Sequence, residues 1–296
     1  MRLLELTAGE AEASLPLHVL LRERMGMPRR LLRRLWSEAA ILQDGVPAQP
    51  WHQARAGSRI EVCWPGPSAL HGAAPEVPLT IVYEDDDILV VDKASGIVCH
   101  PTHGVASGTL ADALVHRYGA AHLVQRLDRD TSGLLLAARH PWSAAILGQA
   151  MARRDIRRTY AALVPGIRKA WPDLIDAPIG RDPESGDRRV DPVGGQEART
   201  RILASVPQEG AGLTWLLMAL ETGRTHQIRV HLAHLGHPIL GDDRYGPSGV
   251  SGRMALHAHH LTFRHPRTGQ TMRVEASWPA DLPAMPDELC RRLADA

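Results

Sequence analysis

Aromatic residues are scarce in this chain of 296 residues, at 4% of the total with four Tyr and a single Phe. A core must therefore be assembled from Leu, Val, Ile and Ala, and any Tyr becomes a candidate for a specific task. Cysteine is nearly absent as well. Cys63, Cys99 and Cys290 stand far apart without a C-x-x-C pair, which argues against a disulfide framework or a cysteine zinc site and fits a reducing compartment. No run of about 18 apolar residues occurs, and acids interrupt the N-terminal MRLLELTAGEAEASLP before it reaches signal-peptide length. The expectation is a cytoplasmic protein without a membrane segment. Charge of one sign is not in excess either, since 34 basic residues face 33 acidic ones for a formal net charge of +1. The chain has no overall field to draw in a polyanion, so any such attraction must be local.

What is present suffices for a folded protein. A hydrophobic fraction of 44% and a charged fraction of 23% lie in the globular range, and the length allows a large domain with a small one beside it. Two basic clusters stand out: Arg22, Arg24, Arg29, Arg30, Arg33 and Arg34 against Glu23, and Arg153, Arg154, Arg157 and Arg158. Either could meet phosphates, and either could equally be a solvated helix face.

Apolar spacing over residues 14–42 predicts two short helices, the second starting at Pro28. Asp44-Gly45 is a hairpin turn signal, and Arg59 to Trp64 alternates like a strand, giving an αα-then-β unit over 1–65. Residues 66–78 (GPSALHGAAPEVP) have the Gly, Pro and Ala content of a linker, and a second domain is expected over 79–296. Within it, strands are predicted at Leu79–Tyr83, Ile88–Asp92, Leu134–Ala138, Thr159–Val164, Thr200–Val206 and Leu213–Glu221. Helices are predicted at Thr109–Arg117 and Pro141–Arg153, while Thr225–Leu235 is ambiguous with helical spacing favoured. Helices and strands mix without regular βαβ alternation, so the expected class is α+β with a mixed or antiparallel sheet.

Two stretches concentrate chemistry. In QRLDRDTSGLLL (Gln125–Leu136), Asp128 lies between arginines just before an apolar strand. A carboxylate kept ionised there by positive charge and by Thr131, Ser132 or backbone donors would serve covalent catalysis on a sugar or base, while a simple Asx-type turn is the bland alternative. In LETGRTHQIRVHL (Leu220–Leu232), Arg224, His226, Gln227, Arg229 and His231 sit between apolar positions. A guanidinium grips a carboxylate or phosphate with two parallel bonds, so Arg229 could pair with Asp128 and Arg224 could meet a substrate backbone; the alternative is an amphipathic helix with a polar face.

Together these stretches resemble the RluA-type family of pseudouridine synthases. Its H-R-L-D-x-x-T-S-G hallmark is matched by Arg126, Leu127, Asp128, Thr131, Ser132 and Gly133, and T-G-R-T-H-Q-I-R-V-H is matched in full from Thr222 to His231. ILVVDKASGIVCHP, RTYAALV, GHPILGDDRYG and LHAHHLTFRHP follow in the family's order, so the resemblance spans roughly residues 79–280. It implies the pseudouridine synthase fold, with a mixed, mostly antiparallel central sheet and flanking helices. It also implies an RNA uridine-to-pseudouridine isomerase that needs no cofactor or metal. Asp128 becomes the catalytic aspartate, Tyr160 the aromatic against the uracil and Arg229 the ionic partner of Asp128. Ile228 packs near the base, while Arg126, Arg224 and His226 contact the substrate. Gln125 stands where relatives carry His, and Ala94-Ser95 replaces Pro-Ala. The N-terminal unit is similar to a small S4-type RNA-binding domain, with Arg29, Arg30, Arg33 and Arg34 as phosphate contacts and Asp44 where Asn is usual. The implied partner is structured RNA, ribosomal (23S-type) or transfer, met by a monomer.

Two rival readings come from other classes. The histidines His226, His231, His234, His237, His257, His259, His260 and His265 could serve a metal-dependent hydrolase, although no H-E-x-x-H is present. A noncatalytic RNA-binding protein of the same fold is the other.

Overall fold

The sequence RLLELT forms a strand, β1 (Arg2–Thr7), with Leu4 buried and Glu5 exposed. It precedes the two anticipated helices, α1 (Leu17–Met25) and α2 (Arg29–Ser37), so the unit begins with a strand instead of a helix pair. The hairpin β2 (Ile41–Gln43) and β3 (Val46–Pro47) turns through Asp44 at φ 52° and Gly45 at φ 79°. Two successive left-handed residues match the right-handed twist of flanking strands, which is why Asp-Gly is favoured here. With β4 (Arg59–Trp64) these strands form a four-stranded sheet in the order β1-β4-β2-β3. Leu17, Leu20, Leu21, Leu32, Leu35 and Ile60 fill its core. This computed structural model describes residues 2–64, 76–102, 104–247 and 252–294, so most of the anticipated linker (residues 66–75) lies outside the described residues.

The rest of the chain continues with β5 (Thr80–Glu84), β6 (Ile88–Lys93), α3 (Leu110–Tyr118), β7 (His122–Leu123), β8 (Ser132–Ala138), α4 (Pro141–Ala152) and β9 (Arg157–Pro165). There follow β10 (Leu174–Asp176), β11 (Ile179–Arg181), β12 (Arg188–Val190), β13 (Arg199–Gln208), β14 (Leu213–Leu220), α5 (Gln227–His234), β15 (Leu256–Arg264), β16 (Thr271–Glu275) and α6 (Asp287–Ala294). Ten of these strands build one sheet along β10-β13-β14-β9-β15-β8-β6-β5, with β16 on β15 and β7 on β8. β11 and β12 pair apart from it. The architecture is α+β with a mixed, mostly antiparallel sheet, as the patterning predicts. Two antiparallel halves meet where β15 runs parallel to β8, pairing His257 with Ser132 and Ala258 with Gly133.

That seam explains a glycine. Gly133 adopts φ 108°, and a Cβ there would collide with the backbone of Ala258, so the position requires both the left-handed freedom and the absent side chain. β15 itself was not anticipated as a strand, because LHAHHLTFR carries three histidines. Yet Leu256, Ala258, Leu261 and Phe263 are all buried.

The four-stranded and ten-stranded sheets are joined by an aromatic stack. Trp64 at the end of β4 lies parallel to His140, with ring centroids 5.0 Å apart, and His140 lies parallel to Trp142 at 5.8 Å. Trp142 packs into the N-terminal core and donates to the Met25 carbonyl at 2.7 Å. His140 also caps α4 through the Ser143 amide and donates Nε2–H to Asp87 at 2.7 Å. Among the described residues no helix is long and apolar enough to cross a membrane.

Candidate active site

Hydrogen-bond register lays one row of residues across five strands: Lys93 on β6, Gly133 on β8, Ala258 on β15, Tyr160 on β9 and Met218 on β14. Strands lie about 4.8 Å apart, so Tyr160 stands about 10 Å from the start of β8 with only small residues between them. The loop before β8 carries Asp128. Over this part of the sheet opens a cleft of about 1220 Å³ lined by Asp128, Tyr160, Arg229, Ile228, Arg126, Arg224 and His226, among others. Seven residues predicted to share a site are thus gathered in one place. Arg29, Arg30, Arg33 and Arg34 are not part of it; they lie exposed along α2 of the N-terminal unit, where Arg34 pairs with Glu38 at 2.8 Å.

Backbone and buried polar groups hold the Asp128 loop. Lys93 is buried, and its ammonium donates to the carbonyls of Ala94, Ile97 and Arg129, each at 2.9 Å. Burial lowers its pKa to about 8, with Cys99, Asp130 and Asp128 pulling the other way. The Thr131 amide closes a turn on the Asp128 carbonyl at 3.2 Å. The side chains of Thr131 and Ser132 do not serve Asp128 as anticipated: Thr131 Oγ1 is buried without a partner, while Ser132 Oγ lies 2.7 Å from His257 Nδ1 and also meets Arg253. The Asp128 carboxylate makes no hydrogen bond or ion pair among the described residues. The other carboxylates lining the cleft do: Asp130 pairs with Arg129, Glu221 with Arg201 and Asp243 with Arg229.

The expected direct pairing of Arg229 with Asp128 is not made. Arg229 is buried and spends Nε and an Nη on Asp242, two bonds of 2.7 Å, with Tyr245 beneath its guanidinium at 5.2 Å. Burial opposes both charges, and their mutual bonds outweigh it, so Arg229 is raised and Asp242 lowered from their ordinary pKa values. Asp128 acts on Arg229 only through space. Asp242 and Tyr245 escaped the sequence reading, although the acid-rich G-D-D-R-Y that carries them signals a partner for a buried arginine.

The T-G-R-T-H-Q-I-R-V-H segment divides its labour. Gln227 accepts from Thr222 at 2.8 Å and the Arg224 amide at 3.0 Å, and donates to the Arg199 carbonyl at 2.9 Å and Thr200 at 3.0 Å, which fixes the loop ahead of α5. His231 bridges Thr200 and the Ala177 carbonyl, both at 2.9 Å. His226 takes a left-handed φ of 58° as N-cap of α5 and meets the Tyr245 hydroxyl at 2.8 Å. Burial lowers its pKa, and the charge of Asp128 opposes that shift. Arg224 donates to the Glu197 carbonyl at 2.9 Å. Tyr160 is buried with its ring on the cleft, and burial raises its phenol pKa. Gln125 also lines the cleft, its amide oxygen buried and unbonded.

Among the described residues the histidines do not gather as a zinc site would require. His257 is held by Ser132, His259 by Glu275 at 3.1 Å, His237 by the Pro165 carbonyl at 2.9 Å and His265 by Asp85 at 2.8 Å. The one convergence of potential metal ligands among the described residues is Asp85, Asp87 and His265. There Asp87 is already taken by His140 and by two bonds of 2.6 Å from Arg267.

Comparison with known proteins agrees with this geometry. The sequence model of the RNA pseudouridylate synthase family matches residues 87–234, which include the Asp128 loop, Tyr160 and Arg229. An uncharacterized RNA pseudouridine synthase of Bacillus subtilis (strain 168), YjbO, is 41% identical over 267 residues, covering 87% of this chain and 94% of its own. The ribosomal large subunit pseudouridine synthase D of Xanthomonas campestris pv. campestris is 38% identical over 274 residues, covering 86% and 82%. Among solved structures, human RNA Pseudouridylate Synthase Domain Containing 1 superimposes with a TM-score of 0.59 at 27% identity, covering 76% of this chain and 97% of that one. With its ordered motifs folded into one cleft, this chain belongs to the RNA pseudouridylate synthase family and is an RNA pseudouridine synthase.

Proposed function

We propose that Asp128 is the catalytic carboxylate of this isomerase and that its substrate is large-subunit ribosomal RNA. The observation that carries the first part is the unpartnered state of Asp128 in a cleft whose other carboxylates are all paired. An ionised carboxylate without a competing partner is available to a reacting atom. In the reaction the bond from ribose C1′ to N1 breaks, its electrons leaving with the uracil. The base turns and C5 bonds to C1′, then C5 loses its proton and N1 gains one. Asp128 drives the cleavage, as nucleophile on the nucleotide or as base on the ribose; both routes need the carboxylate ionised. A uracil within a duplex is out of reach and must be flipped, and stacking of about 1 to 3 kcal/mol per base on an aromatic ring offsets part of the unstacking. Tyr160 offers that ring, Ile228 packs beside it, and Arg229, held by Asp242, keeps positive charge near Asp128. Arg126 helps to hold the opened nucleotide, and Arg224 and His226 border it. Tyr160 is the candidate base for the C5 proton.

Support for the ribosomal substrate comes from the Xanthomonas relative, named for the large ribosomal subunit. The N-terminal unit serves as an S4-like RNA-binding domain, Arg29, Arg30, Arg33 and Arg34 presenting exposed charge to phosphates. The enzyme works in the cytoplasm as a monomer. Pseudouridine mapping by carbodiimide labelling and primer extension, in cells lacking the gene and complemented with wild type or Asp128→Ala, tests the reading. One or a few large-subunit uridines should regain the mark with the wild type alone. A mark restored on transfer RNA would move the substrate, and a mark restored by Asp128→Ala would overturn the role of Asp128.

A further inference from the structure

Seven arginines line the cleft, and their partners separate them. Arg129 is bonded to Asp130, Arg154 to Glu197, Arg224 to the Glu197 carbonyl, Arg229 to Asp242, and Arg244 is paired with Asp187. Arg126 and Arg158 make no hydrogen bond or ion pair among the described residues. Arg126 is exposed, so water hydrates its charge. Arg158 is half-buried, and its Nε–H is fully buried with no acceptor.

A buried donor on a cation is costly to leave unsatisfied, and it persists when another molecule supplies the acceptor. The position of Arg158 says which molecule. It lies two residues before Tyr160 on β9, and side chains two apart on a strand point to the same face, which here is the floor of the cleft. Gly223, in the loop before α5, gives it passage: a Cβ there would come within 3.1 Å of an Arg158 Nη. The guanidinium is therefore aimed beside the ring proposed to receive the uracil. A phosphate oxygen of that nucleotide's own strand is the acceptor that an RNA would bring there.

We propose that Arg158 binds a phosphodiester of the RNA next to the nucleotide seated on Tyr160, and so anchors the strand beside the flipped nucleotide. This rests on the placement of the target nucleotide between Asp128 and Tyr160. The fork of N–H groups suits phosphate oxygens, and no carboxylate among the described residues competes for it.

Total RNA from cells lacking the gene carries the unmodified target uridine and serves as probe for wild type, Arg158→Gln and Arg158→Lys. With Arg158→Gln the RNA concentration for half-maximal rate should rise about tenfold, the loss of a charge-assisted bond, while the saturating rate stays within about twofold. The slope of log kcat/KM against log salt should become shallower by about 0.7 to 0.9, one phosphate contact, and Lys should restore most of that slope. Tm should stay level or rise, because the substitution removes an Nε–H that is buried without an acceptor; a residue that merely supports the fold would lower it. An unchanged half-saturating concentration and salt slope, or a lowered Tm with the loss confined to the saturating rate, would overturn the proposal. Filter binding of the same RNA in an Asp128→Ala background keeps the two readings apart, since Arg158→Gln should weaken binding there equally, whatever Asp128 does in the chemistry.

Discussion

Asp87 and Asp128 occupy opposite ends of one antiparallel strand pair, Asp87 just before β6 where it meets the end of β8 and Asp128 in the loop leading into β8. Both are aspartates with arginines nearby, yet their surroundings differ completely. Asp87 is buried with its carboxylate oxygens engaged by His140 and Arg267, and those bonds hold its pKa well below the usual carboxylate range despite burial. Asp128 has nothing bonded to its carboxylate among the described residues. The first saturates its charge and joins the catalytic sheet to the N-terminal unit through the Trp64–His140–Trp142 stack. The second leaves its carboxylate open, as the proposed catalytic role requires. A buried charge network such as that of Asp87 is costly to break, whereas an open carboxylate in a cleft is free for the chemistry proposed for it.

The contrast can be broken in order of expected effect. Asp128→Ala should lower turnover by more than about 10³-fold, in the range a positioned acid–base or nucleophilic group contributes, as single-turnover assays on unmodified RNA would report. Asp87→Ala leaves His140 and Arg267 without their acceptor and should cost about 3 kcal/mol of stability by urea denaturation, with turnover per folded molecule retained. Asp242→Asn should do both in part, loosening Arg229 enough to cut kcat and lower Tm; an effect on Tm without any on kcat would mean that Arg229 only holds the fold.

A further prediction concerns pH, where the effect is small near neutrality and grows with acidity. Burial, reinforced by His259 and Arg253, lowers His257 to about 3 from the ordinary histidine value of 6.5. The unfolded chain takes up a proton near pH 6.5 and the folded one does not, so stability should be complete above that pH. It should then fall by up to about 1.4 kcal/mol per unit as pH drops toward 3. His257→Asn should flatten that part of the stability profile, and an unaltered profile would rule out His257 as its source.

Much of this was legible in the sequence, for identifiable reasons. Strands such as Ile88–Lys93 and Arg157–Pro165 declare themselves through apolar and β-branched content, and Asp44-Gly45 declares its turn through left-handed preference. Of the seven predicted residues that line the cleft, all but Tyr160 sit within two dense motifs. What stayed hidden depends on distant partners. β15 was missed because its histidines look polar until Ser132 and Glu275 are seen to satisfy His257 and His259. β1 was missed because its pairing residues lie at Arg59–Trp64. Arg229 was assigned to Asp128 because no local rule separates that carboxylate from Asp242, 13 positions further on. Arg158 looked like one member of a surface cluster until the others were seen to be either exposed or paired.

The most direct test places the two aspartates side by side. Asp128→Asn and Asp87→Asn would be compared with wild type for unfolding free energy and for single-turnover pseudouridine formation on the same unmodified RNA. The account predicts that Asp128→Asn keeps wild-type stability and loses turnover, while Asp87→Asn loses stability and keeps turnover per folded molecule. Turnover surviving in Asp128→Asn, or a collapse of its stability to the level of Asp87→Asn, would contradict it.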